Sequence, residues 1–176
     1  MASAVYCIVK DESQAVRIAN RLRASGFAPS DISVLYPDRG AARDMGHENA
    51  TKAPEGTTIG VPTGAVLGGA LGWLVGIGAL AIPGLGPFVA AGPLLSALSG
   101  AFLGGATGGI AGALIGMGIP EYEAQMYEGK LREGNILMSV HCKDSDEKSR
   151  VREIFSEEQA ESISSGSEAS VPNRDR

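Results

Sequence analysis

Between Glu55 and Glu121 the chain carries no Asp, Glu, Lys or Arg, a run of 65 consecutive uncharged residues. A water-facing surface is normally studded with charge, so a run of this length needs an environment other than bulk water. The charges are crowded into the flanks. Residues 1–55 hold seven Lys/Arg and seven Asp/Glu, and residues 121–176 hold eight and thirteen. The balance gives no basic footprint for nucleic acid. The opening residues, Met1 to Lys10, read as a strand followed at once by charge rather than as a signal peptide.

Inside the uncharged run, glycine recurs at every fourth position. One set is Gly60, Gly64, Gly68, Gly72 and Gly76; the other is Gly100, Gly104, Gly108, Gly112 and Gly116. Glycine inside a helix costs ~1 kcal/mol relative to alanine, so ten of them in water would be a heavy penalty. In a bilayer the backbone has no water to bond, helix is nearly forced, and small residues let two helices approach closely. The sequence therefore predicts two transmembrane helices, over about 62–82 and 93–118. At ~1.5 Å per residue these reach roughly 31 and 39 Å, enough for ~30 Å of hydrocarbon. Pro83-Gly84-Leu85-Gly86-Pro87 breaks the chain between them. The two glycine sets are symmetric about Phe88, which predicts an antiparallel hairpin with Gly68 opposite Gly108. A second small-residue row, Ala101, Gly105, Gly109 and Ala113, is the expected face for a neighbouring protomer. A buried core in a soluble assembly and a pore-forming insertion are the competing readings. The absence of charge in both helices argues against a transporter site.

The flanks read as one split domain. Ala4 to Lys10 is strand-like, Asp11 is a helix N-cap with Gln14 three residues on, and Gly26 stops that helix. Ile32 to Tyr36 is a second strand, and residues 38–58 are polar linker. After the uncharged run, Pro120 opens a helix in which Tyr122, Met126, Tyr127 and Leu131 lie on one face, and Gly134 ends it. Ile136 to Cys142 is a third strand, 144–160 a charged helix, and 160–164 a short edge strand. The expected fold is α+β: a ferredoxin-like split βαβ domain with an inserted two-helix glycine-zipper transmembrane hairpin. Residues 1–58 and 120–164 make its halves, 59–119 the hairpin, and 165–176 a disordered tail. The Cys7 strand is placed beside the Cys142 strand.

No catalytic, cofactor-binding or metal-binding residue is expected. His141 beside Cys142 lacks the further ligands a metal site needs, and His47 lies alone in the linker. Cys7 and Cys142 sit in apolar strands as buried thiols. The glycines are not a phosphate loop, since their spacing is helical and no Lys or Arg lies between 56 and 120. Glu121, Glu123 and Glu128 read as a solvated helix face.

Three segments carry a family resemblance. They are Val5 to Asp38 (VYCIVKDESQAVRIANRLRASGFAPSDISVLYPD), the glycine zipper, and Gly118 to His141 (GIPEYEAQMYEGKLREGNILMSVH). Together they resemble the heat-induced, general-stress protein domain family of the YflT type, with relatives described as low-temperature-induced or as membrane proteins. The resemblance covers about residues 4–142 and implies a stress-associated role without catalytic residues. The expected protein is thus a non-enzymatic homo-oligomer in the bacterial inner membrane with both termini cytoplasmic. Its partners are the lipid bilayer and a protein or small molecule bound by the cytoplasmic domain. A soluble small-molecule sensor, or an assembly that buries the hairpin, is the alternative.

Overall fold

A computed structural model describes residues 3–38, 78–82, 85–103 and 109–167. The flanking elements form where local chemistry puts them. Strand β1 (Ser3–Val9) leads to helix α1 (Glu12–Ala24), whose N-cap Asp11 accepts the Gln14 N–H. Gly26, with φ +91°, ends the helix in a conformation that side chains disfavour. Strand β2 (Ile32–Pro37) follows a single 3₁₀ turn.

Beyond the uncharged run, three elements complete the same sheet. Strand β5 is Ile136–Cys142, helix α5 is Ser145–Glu157 with Asp144 as its cap, and strand β6 is Glu161–Ser167. Strand β6 is longer than the expected 160–164 segment and takes in the first residues of the expected tail. The protein is α+β, and the strands from the flanks are ordered β2-β5-β1-β6, every neighbour antiparallel. This is the order of two interleaved βαβ units. Ser3 pairs with Cys142 and Cys7 with Met138, as the split-domain reading requires.

The uncharged run departs from expectation in three ways. First, Gly78–Ile82 forms a strand, β3, where the end of a helix over 62–82 was expected. Second, the segment expected as a loop centred on Phe88 is strand β4 (Gly86–Ala91). Ile82 pairs with Gly86 and Ala81 with Pro87, so the reversal is centred near residue 84, and Phe88 is a buried strand residue 1% exposed. The physical reason is the open edge of β2. Its unpaired backbone groups accept β4 in register from Val34–Ala91 to Pro37–Phe88, and β3 then pairs with β4. The sheet becomes six-stranded, β3-β4-β2-β5-β1-β6. Third, the single helix expected over 93–118 is two helices, α2 (Pro93–Leu103) and α3 (Gly109–Gly116). Gly109 has φ +60°, which a continuous helix does not contain. Among the described residues no helix is long and apolar enough to cross a membrane, so the transmembrane hairpin is not supported. The remainder of the expected first helix, residues 62–77, lies outside the described residues.

Both faces of the sheet are covered. On one, Val5, Cys7, Val9, Val34, Met138 and Val140 pack under Ile18 and Leu22 of α1 and Val151 and Phe155 of α5. On the other, Ala4, Tyr6, Ile8, Leu35, Phe88 and Leu137 pack under α2, α3 and helix α4 (Glu121–Arg132). The inserted run adds α2 and α3 to this second layer, beside α4.

Candidate association surface

Helices α2 and α3 contain no charged residue. Their inner sides enter the second core, where Leu94, Leu98, Ile110 and Leu114 are at most 2% exposed. Burying each such side chain contributes ~1.5–3 kcal/mol, so these four alone contribute roughly 6–12 kcal/mol before entropy is counted. That matches the whole net stability of a typical domain, so the docking is not a loose contact.

Two polar devices fix the helices in place. At the start of α2, Leu94 N–H donates to Ser33 Oγ at 3.2 Å, and Ser33, on β2, is only 2% exposed. This satisfies a helix N–H that has no partner within its own helix. The preceding Gly92 has φ +76°, and a Cβ there would lie 2.2 Å from Ile32 O. Only glycine lets the chain turn from β4 into α2 so close to β2. At the start of α3, Ala111 N–H donates to Glu128 Oε2 at 2.8 Å. Arg132 Nη2 holds the other carboxylate oxygen at 2.7 Å. A carboxylate at a helix N-terminus is favoured by the helix dipole.

The outward sides are Pro93, Ser96 and Gly100 on α2, and Ile115 and Gly116 on α3, all exposed. Cβ atoms built on Gly100, Gly112 and Gly116 meet nothing within 4 Å. Just past α3, Tyr122 on α4 is 80% exposed, and Ile115 is 42% exposed. These exposed positions of α2 and α3 carry no charge, and the exposed large hydrophobic side chains among the described residues are Ile115 and Tyr122.

The residues expected to pack helices divide as follows. Gly60, Gly64, Gly68, Gly72, Gly76, Gly104 and Gly108 lie outside the described residues, as does Gly105. Ala101 lies on α2. Gly109 faces Glu128, whose Oε2 would lie 3.3 Å from a Cβ at that position. Ala113 is 4% exposed in the second core. Tyr122 does not join Tyr127 and Leu131 on the buried side of α4, as its spacing had suggested.

Ser33, Gly92, Glu128 and Tyr122 were not singled out as docking residues from sequence. A signal existed for two of them: Gly92-Pro93 is a stop followed by a helix start, and Ser33 interrupts an apolar strand.

Several titratable groups elsewhere are tied into the fold. Burial pushes the Cys7 thiol well above its usual value and Cys142 up to about 11, which leaves both protonated at neutral pH. Burial also lifts Tyr127 to about 12; its hydroxyl donates to Ser162 O at 2.7 Å and lies 2.6 Å from Ser164 Oγ. Arg17 and Arg21 of α1 bind Glu158 at 3.2 and 3.1 Å, and Arg21 also binds Glu157. Among the described residues no group of three or more His, Cys, Asp or Glu is arranged to hold a metal ion. The chain matches no family model, no curated protein and no solved structure.

Proposed function

We propose that this is a non-enzymatic, membrane-associated protein of the bacterial stress-response type, attached through its uncharged insertion and presenting a ferredoxin-like domain to the cytoplasm. The observation that carries the reading is the charge-free run of residues 56–120 together with the bare outward sides of α2 and α3. Helices without charge on any side belong in a core or against lipid. Among the described residues their inner sides have a core and their outer sides do not. The resemblance of Gly118–His141 and Val5–Asp38 to general-stress domains supports the stress association.

The attachment differs from a two-span hairpin. With α2 and α3 docked on the sheet, what remains for deep insertion is the charge-free segment 56–77. Strand β1 pairs with both β5 and β6, so the two flanks must lie on one side of any bilayer. Arg39, Arg43 and Lys52 before the insertion, and Lys130 and Arg132 after it, favour the cytoplasmic side.

Flotation of the full chain with phosphatidylcholine vesicles tests the proposal. Bound protein rises with the vesicles and stays bound at high salt, because no ion pairing is involved. Protein left at the bottom of the gradient refutes it. A second reading has one observation in its favour: half of the insertion already packs on its own sheet. In that case the outward surface closes a soluble homo-oligomer, which sediments as a defined multimer and ignores vesicles.

A further inference from the structure

We infer that strand β6 exchanges between two copies of this chain, each copy's β6 seating on the edge of the other's β1, with Gln159 as the hinge. The partner is a second copy, and the contact is one the fold already contains, so the inference is independent of the membrane reading above.

Register fixes the occupant of the β1 edge. Within one chain β6 pairs antiparallel with β1 from Ser3–Ser167 to Tyr6–Ser164, then passes a bulge and pairs again at Ile8–Glu161. The β6 of a second copy carries the same residues and makes the same ladder on the same edge. An exchanged pair therefore buries what the single chain buries and bares no new apolar surface. Only the connection from α5 to β6 differs between the two forms, so that connection decides between them.

The connection is short and strained. Helix α5 ends at Glu157 and β6 starts at Glu161, which leaves residues 158–160 to turn the chain. Glu158 is held in place. Gln14 Nε2 donates to its carbonyl at 2.8 Å, and Arg17 and Arg21 bind its carboxylate at 3.2 and 3.1 Å. The turn falls on Gln159, whose φ of +59° lies in the left-handed region that a residue with a Cβ disfavours. In the single chain Gln159 holds that conformation as β6 folds back onto its own β1. Extending residues 159–160 toward a second copy releases it. One such residue relieved is worth roughly tenfold per copy, or about a hundredfold in the dimerisation constant.

Strand β6 is also lightly held. In ESISSGS, Ile163 is the one large apolar side chain, and the other positions carry none of the β-branched or aromatic residues that favour strands. Ser162, at the bulge, is a second non-glycine residue with left-handed φ, +52°. Separate polar contacts tie the strand down: the Tyr127 hydroxyl to Ser162 O at 2.7 Å, Lys10 to Glu161 at 2.7 Å, and Arg152 Nη2 to Ser165 Oγ at 2.9 Å. Each breaks singly and re-forms with the incoming strand.

The test mixes two full-length chains, both with Cys7→Ala and Cys142→Ala. One carries Ser3→Cys and a mass tag; the other carries Ser167→Cys. Ser3 and Ser167 are partners across β1 and β6, so exchange brings the two thiols of different chains together. Ser149→Cys, on the exposed side of α5, replaces Ser167→Cys to measure random collision. The expected result is a 3–167 linked heterodimer several-fold above that control and rising with protein concentration. Adding Gln159→Gly, which takes positive φ freely, lowers it roughly tenfold or more. Sedimentation of Gln159 variants that keep both native cysteines gives a second measure. There Gln159→Pro, which cannot take positive φ, shifts the chain to a dimer, and Gln159→Gly shifts it to a monomer. Linking no higher than the collision control overturns the exchange. So does a Gln159→Pro chain that stays monomeric, or a dimer that forms without 3–167 linking, which assigns association to another surface.

Discussion

Replacing Gly92 by alanine tests how firmly the inserted layer is fixed to the sheet, because two separable costs meet at that residue. Its φ of +76° lies in the left-handed region, which costs a side-chain-bearing residue ~1–2 kcal/mol. The new Cβ would also sit 2.2 Å from Ile32 O and 2.9 Å from Ser33 Oγ. The first of these is backbone of a central strand and cannot swing aside, so β2 or α2 must shift, at an overpacking cost of ~1–3 kcal/mol. The sum is ~2–5 kcal/mol. Two companion variants separate the terms. Gly86→Ala has φ +92° but nothing within 4 Å of the added Cβ, so it carries the backbone cost alone. Gly100→Ala sits within α2 with open space around it and should stabilise by ~0.5–1 kcal/mol through its helix propensity. For a chain of this size 1 kcal/mol moves Tm by ~2–4 °C, so Gly92→Ala should melt ~4–20 °C lower and Gly86→Ala only ~2–8 °C lower. Thermal melts followed by circular dichroism give the ranking, and amide exchange of α2 shows where the loss falls. A Gly92→Ala protein no less stable than Gly86→Ala would refute the close packing of this junction on β2.

Three further outcomes follow from the same contacts. Glu128→Ala removes the acceptor for Ala111 N–H and should cost ~1–2 kcal/mol, with faster amide exchange confined to α3 and its neighbours; uniform exchange rates would count against the cap. Tyr127→Phe leaves Ser162 O without its hydroxyl donor and should loosen β6 by ~1 kcal/mol. Burial raises the Tyr127 pKa from 10.0 to about 12, so the stability it contributes is present below pH 10 and lost as pH rises toward 12, a loss the phenylalanine variant should not share. On the acid side, burial pushes Glu158 up, but hydrogen bonds from Arg17 and Arg21 outweigh it and leave the carboxyl below its usual 4.5. A depressed carboxyl contributes stability above its unfolded pKa that disappears as pH falls through the folded one. Melting temperature should therefore drop below about pH 4.5 more steeply in the natural chain than in Glu158→Gln, and identical slopes would show that the pairing is fully screened.

The sequence by itself determined the flanking domain. Asp11 and Asp144 cap helices because their side chains accept a backbone N–H three residues on, and Gly26 and Gly134 stop helices because they take positive φ. Short, mostly apolar runs such as Ala4–Val9 and Ile136–Val140 gave the strands, and the β-α-β order implied that the Cys7 and Cys142 strands are neighbours. These signals act over a few residues, so they survive without knowledge of the surroundings. The uncharged insertion was a different problem. A spacing of four places residues on one side of a helix, but it also places them on one side of a strand, so Gly72, Gly76 and Leu80 could not say which they were. The Pro83–Pro87 break serves a helical turn and a β-hairpin equally well. What settled residues 78–91 was the unpaired edge of β2, a hydrogen-bonding surface that exists only once the split domain has closed. The same holds for α2 and α3. Their composition demands an apolar neighbour on every side, and lipid and the bare face of a sheet meet that demand alike. Tertiary structure supplied the sheet on one side, through Tyr6, Ile8, Leu35 and Leu137, because on that face the split domain has only helix α4 of its own and leaves the rest to be covered by the chain inserted into it.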